Sequence, residues 1–447
     1  QNDMEGCGVY FLLDGTYAAY NHTLIGNTVN VKDIYYGVDQ SSMALQVDDY
    51  GQIILLNCSQ FSIADGTFEK STSGIQMLYC NDSQISNVSI RGNFRAIDIY
   101  RTGFVEMTSL QVEGKRGQDA ICIQESNNIN LSYSSVRKAS GADADGIQIE
   151  ESDLVTIEYC HFDHNFDSID AFVTLNLTIR GNQIINSERY GINILDYDFP
   201  DSQWVFIEDN IILNSSLAIY NFHVEDAYIT NNTIRHCTSN GIYLNGAPIT
   251  SGNVSLNIIE DCMDGIDVLN AQNALIFNNT LRWNREYGVK IRGTVGTEVY
   301  YNTFALNHIS NGYDDRFGNF WDDGVSTGNS WHDYYGTPPD PYEVDDNTDD
   351  RYPTQYLPTE PIINQVMDVY YAEGSEGNVI VWYPLDDSLK NWEVTIDASL
   401  WETGAWNYQN ITTNIDGLDY GVHTLKITVW DTDLNNVTDT VSIHVYD

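Results

Sequence analysis

The chain is poor in basic residues: 20 Lys and Arg stand against 64 Asp and Glu in 447 positions, a formal charge of −44. A field of that sign repels nucleic acid and anionic membrane surfaces, and it attracts divalent cations or cationic partners. No apolar run reaches the ~18 residues that a membrane-spanning helix needs. Proline is scarce before position 338, where only Pro200 and Pro248 occur. No ten-residue segment carries the 3.6-residue apolar period of an amphipathic helix. The seven cysteines are an odd number, so a monomer keeps at least one free thiol.

What the sequence does have is a repeat. Gly-Ile-type steps place Ile75, Ile97, Ile121, Ile147, Ile169, Ile192, Ile219, Ile242, Ile266, Val289 and, with an aromatic, Tyr313 at gaps of 22 to 27 residues, averaging 23.8. A period of that size marks a solenoid. Within a unit the pattern alternates, as in Ile147 and Ile149 or Ile242 and Leu244, which is strand periodicity. Leu positions fit no leucine-rich repeat. The units therefore predict short strands coiled upon one another, a parallel β-helix.

The asparagines follow from that geometry. Asn182, Asn210, Asn232, Asn257, Asn279 and Asn302 hold one place in successive coils, and Asn165, Cys237, Cys262, Asn284 and Asn307 hold another. Coils ~4.8 Å apart bring like side chains into hydrogen-bonding reach at a turn. The same stacking makes Cys237 and Cys262 a disulfide candidate, since a disulfide takes Cα atoms ~4.4–6.8 Å apart. Cys58 and Cys80 read as belonging to different turns. The first coil is expected at Gly8–Tyr20, apolar and in need of cover from a neighbouring subunit.

The "N-x-I … G-I-x-I" repeats resemble the right-handed parallel β-helix proteins of the pectin-lyase-like type over roughly residues 1–335. The step "GNFWDDGVSTGNSWHDYYG" is similar to the caps of periplasmic copper-processing β-helices and of archaeal surface proteins. Residues 362–447, with "NVIVWYP", "WEVTIDASLW", "HTLKITVWD" and "TVSIHVYD", alternate at sandwich spacing and resemble immunoglobulin-like modules of archaeal cell-surface proteins. The expected organisation is an all-β chain: a right-handed parallel β-helix of about 12 to 13 coils over 1–317, a Trp/Asp-rich cap and acidic linker over 318–361, and an Ig-like β-sandwich over 362–447.

One segment carries an enzyme-like signal, "ADADGIQIEESDLVTIEYCHFDHNFDSIDAF". It resembles the polygalacturonase stretch in which three carboxylates on adjacent coils act as acid and base in inverting hydrolysis. The resemblance maps those roles onto Asp145 and Asp167 only; the alternative, enzymatic reading takes Asp145, Asp167 and Asp170 as its candidate acids. Ser168 replaces the second member of the Asp pair, Tyr190 stands where a His is expected, and Lys290 and Arg292 lie several coils on. A lyase route needs Ca²⁺ and an arginine base, and no arginine accompanies these acids in the reading. His161 and His164 read as solvated turn residues.

The acidic tract Asp340, Glu343, Asp345, Asp346, Asp349 and Asp350 is the expected Ca²⁺ site, hard oxygen ligands on what reads as a loop; no organic cofactor is expected. Sequons at Asn21, Asn57, Asn81, Asn87, Asn130, Asn176, Asn214, Asn231, Asn253, Asn278, Asn410 and Asn436 point to glycosylation and export. Gln1 in first place suggests a cleaved signal peptide. The function expected is a non-catalytic structural subunit of an extracellular layer, sheath or filament, self-associating and in contact with surface glycans. A polysaccharide-active enzyme is the alternative, and a glycan-binding adhesin the third reading.

Overall fold

The computed structural model describes residues 2–12, 17–20, 22–142, 144–196, 204–224, 226–246, 252–337, 339–345, 348–407 and 409–447. Asn21 and Asp346 lie outside them. The chain is a right-handed β-solenoid followed by a region of two sheets. A 15-stranded sheet takes one strand from each coil, parallel from Lys32–Val38 onward, and the other short strands of each coil close around the same core.

The repeat aligns as the sequence implies. Ile75, Ile97, Ile121, Ile147, Ile169, Ile192, Ile219, Ile242, Ile266 and Val289 pair in unbroken register and are wholly buried. At roughly 1.5–3 kcal/mol for each buried aliphatic side chain, this column and its neighbours drive the coiling. The top of the column departs from expectation. Val289 faces Gly312, which puts Tyr313 on the outer face opposite Lys290. A Cβ on Gly312 would lie 2.7 Å from Trp321 and from Val344, so the cap's indole fills the place an aliphatic residue takes lower down.

Two turns are held by side-chain ladders. The N–H and Nδ2 of Asn232 both donate to Asn257 Oδ1 (2.9 and 3.0 Å), and its Nδ2 also donates to Ile207 O at 2.8 Å. The pattern runs from Asn182 through Asn302 and ends on Asn329. In the second ladder Cys262 N–H donates to Asn284 Oδ1, and Asn284 N–H to Asn307 Oδ1. Cys237 and Cys262 sit there as buried thiols, and burial followed by Cys237 raises the Cys262 thiol well above its ordinary value. Cys58 and Cys80 are likewise a neighbouring buried pair, with Cys58 lowered to about 7 by its contact with Cys80, and Cys80 raised by burial. They are in register after all, because Ser59 bridges Asn81; each lies two residues beyond the paired Leu56 and Leu78.

Segment 318–361 continues the solenoid. Ser330–Trp331 pairs with Thr303 and Phe304, and Thr354–Gln355 pairs with it in turn. Trp331 stacks on Phe304 at 4.4 Å and on Tyr342 at 4.0 Å. The expected acidic linker holds a hairpin, Tyr342–Asp345 against Thr348–Asp350. Beyond it, a five-stranded sheet and the antiparallel pair Val379–Trp382 and Ile411–Asn414 face one core that includes Trp382, Val394, Ile427 and Val441.

Removing one rung tests how much the ladder holds. In Asn232→Ala, Asn210 loses the acceptor for its N–H and Nδ2. With each orphaned buried group costing ~1–3 kcal/mol, the variant is expected to lose about 2–4 kcal/mol locally. Hydrogen exchange should quicken at Asn210 and its neighbours; unchanged protection there would show that the ladder is ornamental.

Candidate active site

The outer face of the 15-stranded sheet carries the site. Five of its strands matter: β1 (Arg95–Tyr100), β2 (Ile121–Gln124), β3 (Ile147–Glu150), β4 (Ile169–Phe172) and β5 (Tyr190–Leu195). Because each inward Ile pairs with the next, the residues two places before them, Asp119, Asp145 and Asp167, line up across β2, β3 and β4. Asp170 projects outward from β4, opposite Gln148. Gly146 permits this closeness, since a Cβ there would stand 2.6 Å from Ser168 O.

Asp145, Asp167 and Asp170 each place a carboxylate oxygen within 4.8 Å of the others. Asp145 is 4% exposed and Asp167 0%. Arg189, on the turn into β5, grips Asp167 with Nε at 2.9 Å from Oδ1 and 3.1 Å from Oδ2, and with Nη2 on Oδ2. Tyr190 N–H adds a bond to Oδ1 at 3.0 Å. The guanidinium also lies 4.7 Å from the Phe166 ring centroid and 4.6 Å from that of Tyr190. Asn193 Nδ2 donates to Asp170 Oδ1 at 2.7 Å. Asp145 has less support, and its buried Oδ1 has no hydrogen-bond partner among the described residues.

These differences separate the acids. Burial, followed by the charges of Asp170 and Asp167, pushes the Asp145 carboxyl up to about 9. Asp170 is pushed up to about 6, by burial and then by Asp167. Near neutral pH, therefore, Asp145 holds a proton beside ionised Asp170, the arrangement that assigns an acid and a base. Asp145 and Asp170 open into a cleft of ≈ 530 Å³ lined also by Arg95, Gln118, Asp119, Gln148 and Arg189, while Asp167 stands behind them.

The three acids singled out in the sequence are thus brought together, and Arg189 corrects the reading that no arginine accompanies them. It was overlooked because it directly precedes the Tyr190 that occupies the aligned place; the signal was a basic residue at the mouth of a Gly-Ile step. Lys290 and Arg292 are remote, pairing with Asp264 and Asp267. His161 meets Gln183, and His164 meets its neighbour Asp163; among the described residues neither joins a metal-sized cluster.

The acidic tract is dispersed by its hairpin. Asp350 is wholly buried and accepts bonds from Asn329 N–H and Trp331 Nε1, while Asp345 accepts from Asp314 N–H. Glu343 faces Asp349 across the strands, and Asp340 is exposed before them. Among the sequons, Asn57, Asn87, Asn176, Asn214 and Asn231 spend the side-chain amide on an Asp or Asn one coil away. Asn81, Asn278, Asn410 and Asn436 are exposed, whereas Asn130 and Asn253 are half-buried.

Residues 51–203 match the family described as "Right handed beta helix region", and residues 175–336 the one described as "Periplasmic copper-binding protein (NosD)". No curated protein matches. Among solved structures, the A-module of a mannuronan C-5 epimerase of Azotobacter vinelandii is similar at 13% identity and a TM-score of 0.48, over 65% of this chain and 89% of that one. A periplasmic alginate epimerase (a double mutant) is similar at 16% and 0.43, over 74% and 78%. A surface protein and adhesin of Streptococcus pneumoniae is similar at 13% and 0.34, over 66% and 92%. These likenesses concern the fold, a right-handed β-helix.

The strain at Asp145 has a measurable sign. Its folded-state pKa lies above the ordinary value, so its contribution favours folding least at high pH and declines from about pH 4 upward. Asp145→Asn, which removes the titrating group while keeping its shape, is expected to stabilise the protein at pH 8 relative to the native chain, with little effect at pH 4. Denaturation at both pH values reads this; a loss of stability at pH 8 would make Asp145 an ordinary structural turn residue.

Proposed function

We propose that the β-helix is a glycan-cleaving module working outside the cytoplasm, with Asp145 as proton donor and Asp170 as its basic partner. The observation carrying this reading is the buried Asp145 carboxyl set within 4.8 Å of those of Asp167 and Asp170 at an open cleft, where burial pushes Asp145 up to about 9 and Asp170 only to about 6. Asp167, locked by Arg189, supplies the fixed negative charge that keeps the Asp145 proton in place. Asp145 gives its proton to the glycosidic oxygen as that bond breaks, while Asp170 bonds to the anomeric carbon. Water then releases the sugar, its proton returning to Asp145.

The short spacing supports this route over the inverting one implied by the polygalacturonase resemblance. Inversion needs carboxyl groups ~6.5–9.5 Å apart with a water between them, whereas a covalent intermediate suits ~5–5.5 Å. Oxygens within 4.8 Å fit the shorter arrangement. Among the described residues no helix is long and apolar enough to cross a membrane, and the exposed sequons suit a surface or periplasmic setting.

A structural role is the second reading, favoured by one observation. Ser399–Ala405 is the outer strand of the five-stranded sheet, with Leu400 and Trp401 exposed. An uncovered strand edge invites pairing with another copy, as expected of an immunoglobulin-like surface module. Polymers seen by electron microscopy in the absence of any turnover would favour it.

The glycan-cleaving reading is tested with a panel of polysaccharides, following reducing ends and unsaturated products. Reducing ends without unsaturation are expected, and Asp145→Asn should abolish them while the fold persists. The rate should be bell-shaped, rising near pH 6 as Asp170 ionises and falling near pH 9 as Asp145 loses its proton. Products carrying a double bond, or activity indifferent to Asp145, would overturn it.

A further inference from the structure

The segment expected to form the first coil does something else. Gly8–Leu12 lies over the outer face of the 15-stranded sheet, on the side of β1 away from the acids. Gln52 accepts from Val9 N–H at 3.0 Å and donates to Val9 O at 2.6 Å. Gln76 brackets Phe11 likewise, at 3.1 and 3.0 Å. Gly8 exchanges two hydrogen bonds with Thr72. Gln52, Gln76 and Asp98 occupy outward positions, yet all three are wholly buried.

We propose that Gly8–Leu12 walls off one end of the cleft, so that the site takes the end of a polysaccharide chain and not its middle. This rests on the glycan-cleaving reading. The Tyr10 hydroxyl reaches Asp98 Oδ1 and Arg95 Nη1, both at 3.4 Å. Arg95 lines the cleft and holds Asp119 at 3.0 Å, and Asp119 in turn accepts the Asp145 N–H. From the wall to the proton donor there are two strand spacings, ~10 Å, enough for a short terminal piece of glycan. On the other side the face continues past half-exposed Tyr190, Tyr220 and Tyr243, whose rings follow at 5.3 Å intervals.

Simultaneous measurement of viscosity and reducing ends on a long polymer tests the wall. The native protein should release short oligosaccharides while viscosity persists. Tyr10→Ala, and separately Gln52→Ala with Gln76→Ala, should raise viscosity loss per new reducing end several-fold, with hydrogen exchange showing residues 8–12 released and the Ile column still protected. Internal cleavage by the native protein, or an unchanged product pattern once the segment is released, overturns the wall and leaves the glycan-cleaving reading standing. No turnover on any polymer overturns both.

Discussion

The hydrogen bond from a backbone N–H to the side-chain oxygen of the matching residue one coil on is the constraint from which the rest follows. A sharp turn leaves peptide groups without sheet partners, and burying them unpaired is costly. Asn satisfies two donors of the preceding rung with one oxygen while returning its own amide to a carbonyl. That fixes the vertical register, and register places Asp145 beside Asp167. A slip of one residue would turn each inward Ile outward and disperse the acids.

The site exploits what the scaffold otherwise avoids. Elsewhere on the same face, acids meet cations: Lys290 and Arg292 pair with Asp264 and Asp267, and Arg95 pairs with Asp119. At Asp145 the sequence offers three carboxylates to one arginine, and Arg189 is committed to Asp167. Burial first, and then the unbalanced charges of Asp170 and Asp167, push the Asp145 carboxyl up so that it holds its proton. Its orphaned oxygen is a local cost tolerated by a core of stacked aliphatic side chains.

Much of this was legible in the sequence. The Ile period and the Asn rungs report directly on register because like residues stack on like. The acids were legible through the polygalacturonase resemblance of the segment that holds them. Arg189 was not, since it reaches into the site from an irregular turn. Gly312 took the inward place assigned to Tyr313 because Trp321, from the cap, displaced the expected side chain. Gly8–Leu12 belongs to the stretch Gly8–Tyr20 whose apolar character suggests a first coil; its partners lie 43 and 65 residues away, in positions that otherwise look like exposed strand glutamines. The acidic tract looked like a loop because charge masks the strand pattern, yet Asp350 turns inward to cap Asn329 and Trp331.

The rungs from Asn182 to Asn329 have a consequence for how such a chain changes over generations. Each rung repeats the same donors and acceptors, so a whole coil can be gained or lost with both new neighbours already matched. Such an edit on the far side of Tyr190 would lengthen or shorten the aromatic stretch by one strand spacing while leaving Asp145, Asp167 and Arg189 undisturbed. The solenoid is in this sense a ruler whose acidic mark sits midway along the 15-stranded sheet and whose length beyond that mark is open to inheritance.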